Sequence, residues 1–239
     1  MKFLDNVSLV AVATKEVKET AHALEYSQKG IGFKEVHLMS HFDPMDSQGK
    51  YQFKKIEPFS SVGEWGRFVV FELHKFIKTD FIILIHADGF IVNSEKWTDD
   101  FLNYDYIGAP FPIPKDQFSY RDYYGNIIRV GNSVSLRSKR LLSLPSTLNL
   151  DWGSADHGFF HEDGFLCVQN RHILTQNGIK YPPLDIACQF SREQTLPENK
   201  HIEPFAFHKW YGKNRNYPCF GTKETLLTKT YSKLRKKFL

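Results

Sequence analysis

The chain has 239 residues, 41% hydrophobic and 15% aromatic, enough to bury the core of one large α/β unit or two small ones, which excludes a disordered protein. Its formal net charge of +4 is local: residues 229–239 carry five Lys or Arg and no acid, and without them 26 bases (31 − 5) face 27 acids. So balanced a body lacks the broad basic face of a duplex-binding protein, and no nucleic acid partner is expected.

Cys167, Cys188 and Cys219 are odd in number, widely spaced and form no CxxC pair. Free thiols in a reducing compartment are expected, rather than a disulfide framework or a zinc site. Near the start, Lys2 and the run VSLVAVA imitate a signal peptide, but the run is short and Asp5 precedes it, so residues 7–13 read as a first strand. No apolar stretch approaches the ~20 residues that span a bilayer, so the expectation is a cytoplasmic chain, soluble or peripheral.

A helix follows over residues 17–29, with Ala21, Leu24 and Tyr26 among charged neighbours, closed by Gly30 and Gly32. A second strand lies within 33–39. Strand, helix and strand in about thirty residues imply parallel pairing and a right-handed crossover. An edge strand is expected near 51–56. Ser61 with Glu64 three residues on starts a helix that runs to about Lys78 and carries Phe68, Phe71 and Phe76 on one side. Residues 81–92, FIILIHADGFIV, then hold five unbroken apolar positions, too few for an ordinary helix and typical of a strand buried on both faces. That strand stops abruptly at His86-Ala87-Asp88-Gly89. In an open α/β sheet the carboxyl edge of the strands is where ligands bind; the other reading is an ordinary Asp-Gly turn.

Beyond this point regularity falls. The expected elements are a short helix over 93–103, an extended piece over 104–111, and a loop over 113–128 rich in Tyr, Asp and Gly. After it come a strand over 129–137, a helix from Ser138 and a loop over 145–160. Glu162-Asp163 opens a helix over 164–177, closed by Gly178. Residues 181–183 and 186–190 read as extended, and 205–210 as an aromatic strand carrying His208.

Three groups could carry chemistry. His86 and Asp88, two residues apart at a strand end, can face one cleft. Asp suits a hard divalent cation, and His suits Mn²⁺ better than Mg²⁺. Glu162 and Asp163 stand at a helix start, where the helix dipole favours carboxylates; they are caps or a general base. His208 ends an aromatic strand and is a ligand or a bonded structural imidazole.

The order of these elements resembles the glycosyltransferase-A fold. More closely it resembles a family of bacterial and viral chains assigned as sugar transferases, earlier labelled a domain of unknown function. That family's Gln-x-Asp appears here as His86-Ala87-Asp88, and its D-Y-I-G-A-P as residues 105–110 after Tyr104. Its Gly-Asn-Gly-Gly-Phe-Ser-Leu-Arg is shortened to Gly131-Asn132-Ser133-Val134-Ser135-Leu136-Arg137. Its E-D and F-x-F-H match Glu162-Asp163 and residues 205–208. The resemblance implies one Rossmann-like α/β domain over 1–221, a mostly parallel sheet flanked by helices with an irregular C-terminal half. It further implies a transferase that moves a sugar from a nucleotide-sugar donor to a hydroxyl of a surface glycan or lipid-linked glycan, with inversion. Thr14 and Arg67 would contact the nucleotide, Gly89 would sit at the donor site, and Asp88, His208 and His86 would hold a divalent cation, Mn²⁺ or Mg²⁺. Asp163 is the first choice for the base and Glu162 the second.

The rival readings are a carbohydrate- or nucleotide-binding module without chemistry and a nucleotidyltransferase. The latter usually has a glycine-rich phosphate loop after its first strand, where this chain has Ala13-Thr14-Lys15-Glu16. In residues 222–239, Leu227, Tyr231, Leu234 and Phe238 would share one helix face with basic residues around it, a pattern that fits either peripheral contact with an anionic membrane surface or a tail that packs on the body or stays solvated.

Overall fold

Residues 1–45, 48–132, 134–153 and 161–221 are described in the computed structural model. β1 (Lys2–Val12) leads through α1 (Val17–Ser27) to β2 (Ile31–Ser40), then β3 (Gln52–Lys55), α2 (Val62–Phe71) and β4 (Phe81–Ile85). β5 (Tyr106–Ile107), β6 (Ser135–Ser138) and α3 (Lys139–Thr147) follow. The six strands form one sheet of order β3-β2-β1-β4-β6-β5. β1, β2, β3 and β4 are mutually parallel, and β6 runs antiparallel to both β4 and β5. The expected mostly parallel sheet flanked by helices is what forms.

Alternation along the strands explains why both faces are covered. Leu9, Ala11, Ile83 and Ile85 join Ala21 and Leu24 of α1 in one core. Val10, Val12, Ile82 and Leu84 join Val69 and Leu73 on the α2 side in another. Burial of each Leu or Ile contributes about 1.5–3 kcal/mol, so β1, buried from Val7 to Val12, and β4, buried from Ile82 to Ile85, hold the centre of the sheet. The expected cap also forms: Ser61 Oγ accepts from Glu64 N at 3.1 Å, and Glu64 returns a carboxylate to Ser60 N at 2.8 Å.

The second half departs from expectation at four places. Residues 93–103 make two 3₁₀ turns, Ser94–Lys96 and Asp99–Asn103; between them Thr98 is extended and its Oγ1 accepts from Asp100 N at 3.3 Å, which starts the second turn afresh instead of continuing a helix. Of the expected 129–137 strand only residues 135–137 pair in the sheet, as part of β6 (Ser135–Ser138). Upstream of it, Gly131 packs on the 108–110 segment, where a side chain on Gly108 would strike Gly131 O at 2.0 Å. The expected 164–177 helix is broken into α4 (Glu162–Gly164), a π turn over Phe165–Gln169 and α5 (Arg171–Gln176). Residues 186–190 are helical, not extended, within α6 (Leu184–Phe190): Pro183 sits at the cap and Asp185 in the first turn, a start signal that prevails over the strand-like apolar run. The chain then adds β7 (Ser191–Arg192) and β8 (Ala206–Phe207), which pair in parallel. The basic tail over 222–239 lies outside the described residues. Among the described residues no helix is long and apolar enough to cross a membrane.

Candidate functional site

Sheet order locates the site. From β1 the chain builds leftward through β2 to β3, then returns to place β4 on the other side, so connections leave β1 and β4 in opposite directions. A crevice opens at the carboxyl ends of strands that diverge in this way. Here it is a cleft of ≈ 390 Å³ lined by Thr14, Lys15, Glu16, Trp65, Asp88 and Glu162, with His86, His161, His208 and Lys209 also on its walls. A larger hollow of ≈ 550 Å³ lies at the opposite end of the strands, between α1 and the starts of β1 and β2. Its polar side chains belong to His22, Glu25, Gln28, Lys29 and Lys50, far from the sheet's carboxyl edge.

At the tip of β4, His86 N donates to Gly89 O at 2.7 Å, which folds Ala87 and Asp88 into a tight turn. The chain then runs back alongside β8: Phe207 N donates to Phe90 O at 3.1 Å and Lys209 N to Asp88 O at 2.6 Å. This pairing brings His208, 120 positions later in sequence, against Asp88. Gly89 makes the approach possible, since a Cβ there would lie 2.6–2.9 Å from Val134, the His208 ring and Phe207 O. Gly89 thus makes room for β8. The His86 ring leans on Trp65 and His208, with centroids 5.4 and 5.6 Å away.

His208 Nε2 lies 3.5 Å from Asp88 Oδ1, and its Nδ1 lies 2.9 Å from Glu193 Oε2. Burial alone would depress this imidazole; its bonds to Asp88 and Glu193 override burial and raise it to about 9. Burial would raise Glu193, yet bonds from His208 and from Lys209 Nζ, at 2.9 Å, hold it down at about 2. Glu193 belongs to none of the sequence motifs. Nothing local in Ser191-Arg192-Glu193-Gln194 marks it, because its partners come from the β7–β8 pairing.

Across the cleft stand the two acidic residues of α4. Arg137 and Ser135 share a face of β6, and Arg137 Nε donates to Ser135 Oγ at 2.9 Å while its Nη2 reaches Glu162 Oε1 at 3.0 Å. Arg137 is fully buried and Glu162 nearly so. Glu162 lines the cleft; Asp163, the expected base, is buried behind it, accepts from Gly164 N at 2.7 Å, and is not among the lining residues. Burial and then the neighbouring Glu162 charge raise Asp163 to about 6. Thr14 lines the cleft and anchors its wall, its Oγ1 accepting from Phe59 N at 3.2 Å. Arg67 does not line it: the side chain is exposed on α2, its guanidinium 5.9 Å from the Phe71 ring. Asp105 of the D-Y-I-G-A-P segment is a staple. It takes Ser138 Oγ at 2.6 Å, Arg140 Nη2 at 2.7 Å and Lys180 N at 2.8 Å, tying β6 and α3 to the 178–180 turn.

Among the described residues no group of three or more His, Cys, Asp and Glu side chains is arranged to hold a metal ion. Asp88 and His208 fit as a pair once the ion displaces the proton that the two carboxylates hold on the His208 ring. Two ligands at ~2.1 Å from an octahedral ion stand about 3 Å apart, so their gap would close by about half an ångström. Such ions commonly take one or two protein ligands and fill the rest with water and phosphate oxygens. His86 is held in the aromatic contacts already described and is not needed as a third ligand.

The model of a family described as "Protein of unknown function (DUF5672)" matches residues 50–208, well over half of the chain. The chain belongs to this family. The match runs from the β3 edge to His208, so it covers Asp88, Glu162, Glu193 and His208 but not the loop after β1. The curated proteins contain no match. Of solved structures, S. aureus TarS 1-349 is similar at 14% identity and a TM-score of 0.38, over 67% of this chain and 54% of that one. The bifunctional IspDF of Campylobacter jejuni is similar at 13% identity and a TM-score of 0.39, over 61% of this chain and 44% of that one. The chain spans about half the length of these structures, and at such scores neither adds to what the strand order says of the fold.

Proposed function

We propose that this member of the family is a glycosyltransferase that moves a sugar from a nucleotide-sugar donor to a hydroxyl of a surface-glycan acceptor. The observation that carries the reading is the junction of Asp88 and His208 at the carboxyl edge of β1 and β4, opposite Glu162. A binding module needs no buried carboxylate facing its ligand groove, as Glu162 does; a transferase that deprotonates an acceptor does.

On this reading the nucleotide lies along the loop 13–16 against Trp65, and the diphosphate lies beside Asp88 and His208. These two residues would hold a divalent cation, which when bound offsets charge on the departing nucleoside diphosphate. The acceptor oxygen attacks the anomeric carbon as the bond from that carbon to the diphosphate breaks, inverting the centre. The proton goes to the carboxylate pair. Glu162 takes it, because Glu162 faces the cleft and Arg137 holds only one of its oxygens; Asp163 behind it tunes the pair by its charge. This exchanges the roles expected from sequence, where Asp163 came first.

The test is turnover with UDP-, GDP-, TDP- and CMP-sugars, with Mn²⁺, Mg²⁺ or excess chelator, on the wild type and on Asp88→Ala. The reading expects release of the nucleotide leaving group (UDP, GDP or TDP, or CMP from the CMP-sugars) from one donor class with a divalent cation present, lost in Asp88→Ala. No turnover of any donor, or turnover unaffected by Asp88→Ala, contradicts it.

A further inference from the structure

We propose that Glu193 is a positioning residue, which holds the His208 ring by Nδ1 so that Nε2 faces Asp88 and the divalent cation between them. The proposal rests on the transferase reading of the cleft, and it concerns a residue that no motif contains.

Register is the first argument. β7 and β8 pair in parallel with Arg192 opposite Phe207, so Glu193 and His208 are the next matched pair along the same ladder. His208 N donates to Arg192 O at 3.0 Å, which continues the ladder past the strands. A fully buried Asn214 clamps both backbones. Its Nδ2 lies 2.8 Å from Arg192 O, 3.2 Å from Glu193 O, 3.4 Å from His208 O and 3.0 Å from Lys209 O. Its Oδ1 accepts from Arg192 Nε at 2.8 Å, so the amide orientation is set.

Carboxylate geometry is the second. Oε2 meets His208 Nδ1 at 2.9 Å and Oε1 meets Lys209 Nζ at 2.9 Å, so both oxygens are engaged and the plane is fixed. Glu193 is buried and does not line the cleft, while His208 does. The order from cleft to interior is therefore Asp88, His208, Glu193. A ligating imidazole commonly gives its other ring N–H to a carboxylate, which sets the tautomer and the ring plane.

The test is Mn²⁺ titration of the full chain by electron paramagnetic resonance with UDP or GDP present. It reads affinity from the free-ion signal and histidine ligation from nitrogen hyperfine coupling. Wild type is expected to bind Mn²⁺ with nitrogen coupling. Glu193→Gln and Glu193→Ala are expected to weaken Mn²⁺ by about 10–100-fold and to change the coupling. Glu193→Asp, which keeps the charge, is expected to recover part of the loss. Should Glu193→Ala fail to fold, Glu193→Gln carries the test, with its Tm measured alongside. A Glu193→Gln protein with wild-type Mn²⁺ affinity and coupling overturns the proposal, even if its Tm falls. In that event Asp88→Ala distinguishes the causes: loss of Mn²⁺ binding there leaves the cleft reading standing, and wild-type binding there removes both. A wild type that binds no Mn²⁺ with either nucleotide also removes both.

Discussion

Residues 2–85 and residues 104–217 divide the labour of this molecule unevenly. The first region is regular, its strands packed on two helices, and its charged side chains stay mostly at the surface. The second is built of short strands, 3₁₀ and π turns, yet it supplies Arg137, Glu162, Asp163, Glu193 and His208, all buried and all ionisable. Of the described charged groups tied together around the cleft, Asp88 comes from just past the end of β4. The contrast teaches that the scaffold is held by apolar burial, which tolerates exchange, whereas the site is held by buried charges that each depend on a named partner. Buried ion pairs are costly to break because the survivor is left unpaired.

Substitutions can break or sharpen that contrast. The largest effect is expected on rate. Asp88→Ala should abolish donor turnover while Tm moves little, and Glu162→Gln should lose about 10²–10⁴-fold in kcat with donor binding retained. Steady-state kinetics beside a donor-induced thermal shift checks both. Next is stability: Arg137→Met strips Glu162 of its cation at the centre of the second region and should lose about 3–5 kcal/mol in urea unfolding. An effect below 1 kcal/mol would mean that this charge is not load on the fold. Gly89→Ala should cost about 1–3 kcal/mol, as overpacking does, and weaken nucleotide binding by pushing β8 from the turn.

A smaller effect has the opposite sign. Asp163 is raised to about 6 against an ordinary 3.8, so the folded chain binds its proton more tightly than the unfolded chain. Its ionisation therefore erodes stability as pH rises through that window, and the loss is complete above about 6. Asp163→Asn removes the loss. It should raise Tm at pH 7.5 by a few degrees, about 2–4 °C per kcal/mol at this size, and the gain should vanish near pH 4. Arg67→Ala should do least, within about 0.5 kcal/mol and without change in donor KM, because it stands exposed outside the cleft.

Legibility in the sequence follows the same division. β1, α1, β2, β3, α2 and β4 were readable because period and caps are local: FIILI is buried whatever follows it, and Ser61 with Glu64 caps its own helix. Asp88, Glu162 and His208 were readable as candidates because each ends or begins an element. Glu193 was not, since its meaning comes from β7 pairing with β8. Arg67 stands apart from the cleft, because its helix lines it through Trp65 and turns Arg67 to solvent. The 186–190 segment is ambiguous in sequence because a short apolar run fits strand and helix alike, and Pro183 with Asp185 is the local feature that favours the helix.

Hydrogen–deuterium exchange, with and without Mn²⁺ and the nucleotide that gives the largest thermal shift, tests the central claim most directly. The account predicts slowed exchange at 13–16, 86–89, 161–164 and 206–209, four segments far apart in sequence and joined only at the carboxyl edge of β1 and β4. Protection around the hollow at residues 22–32, or none at 86–89 and 206–209, would contradict it.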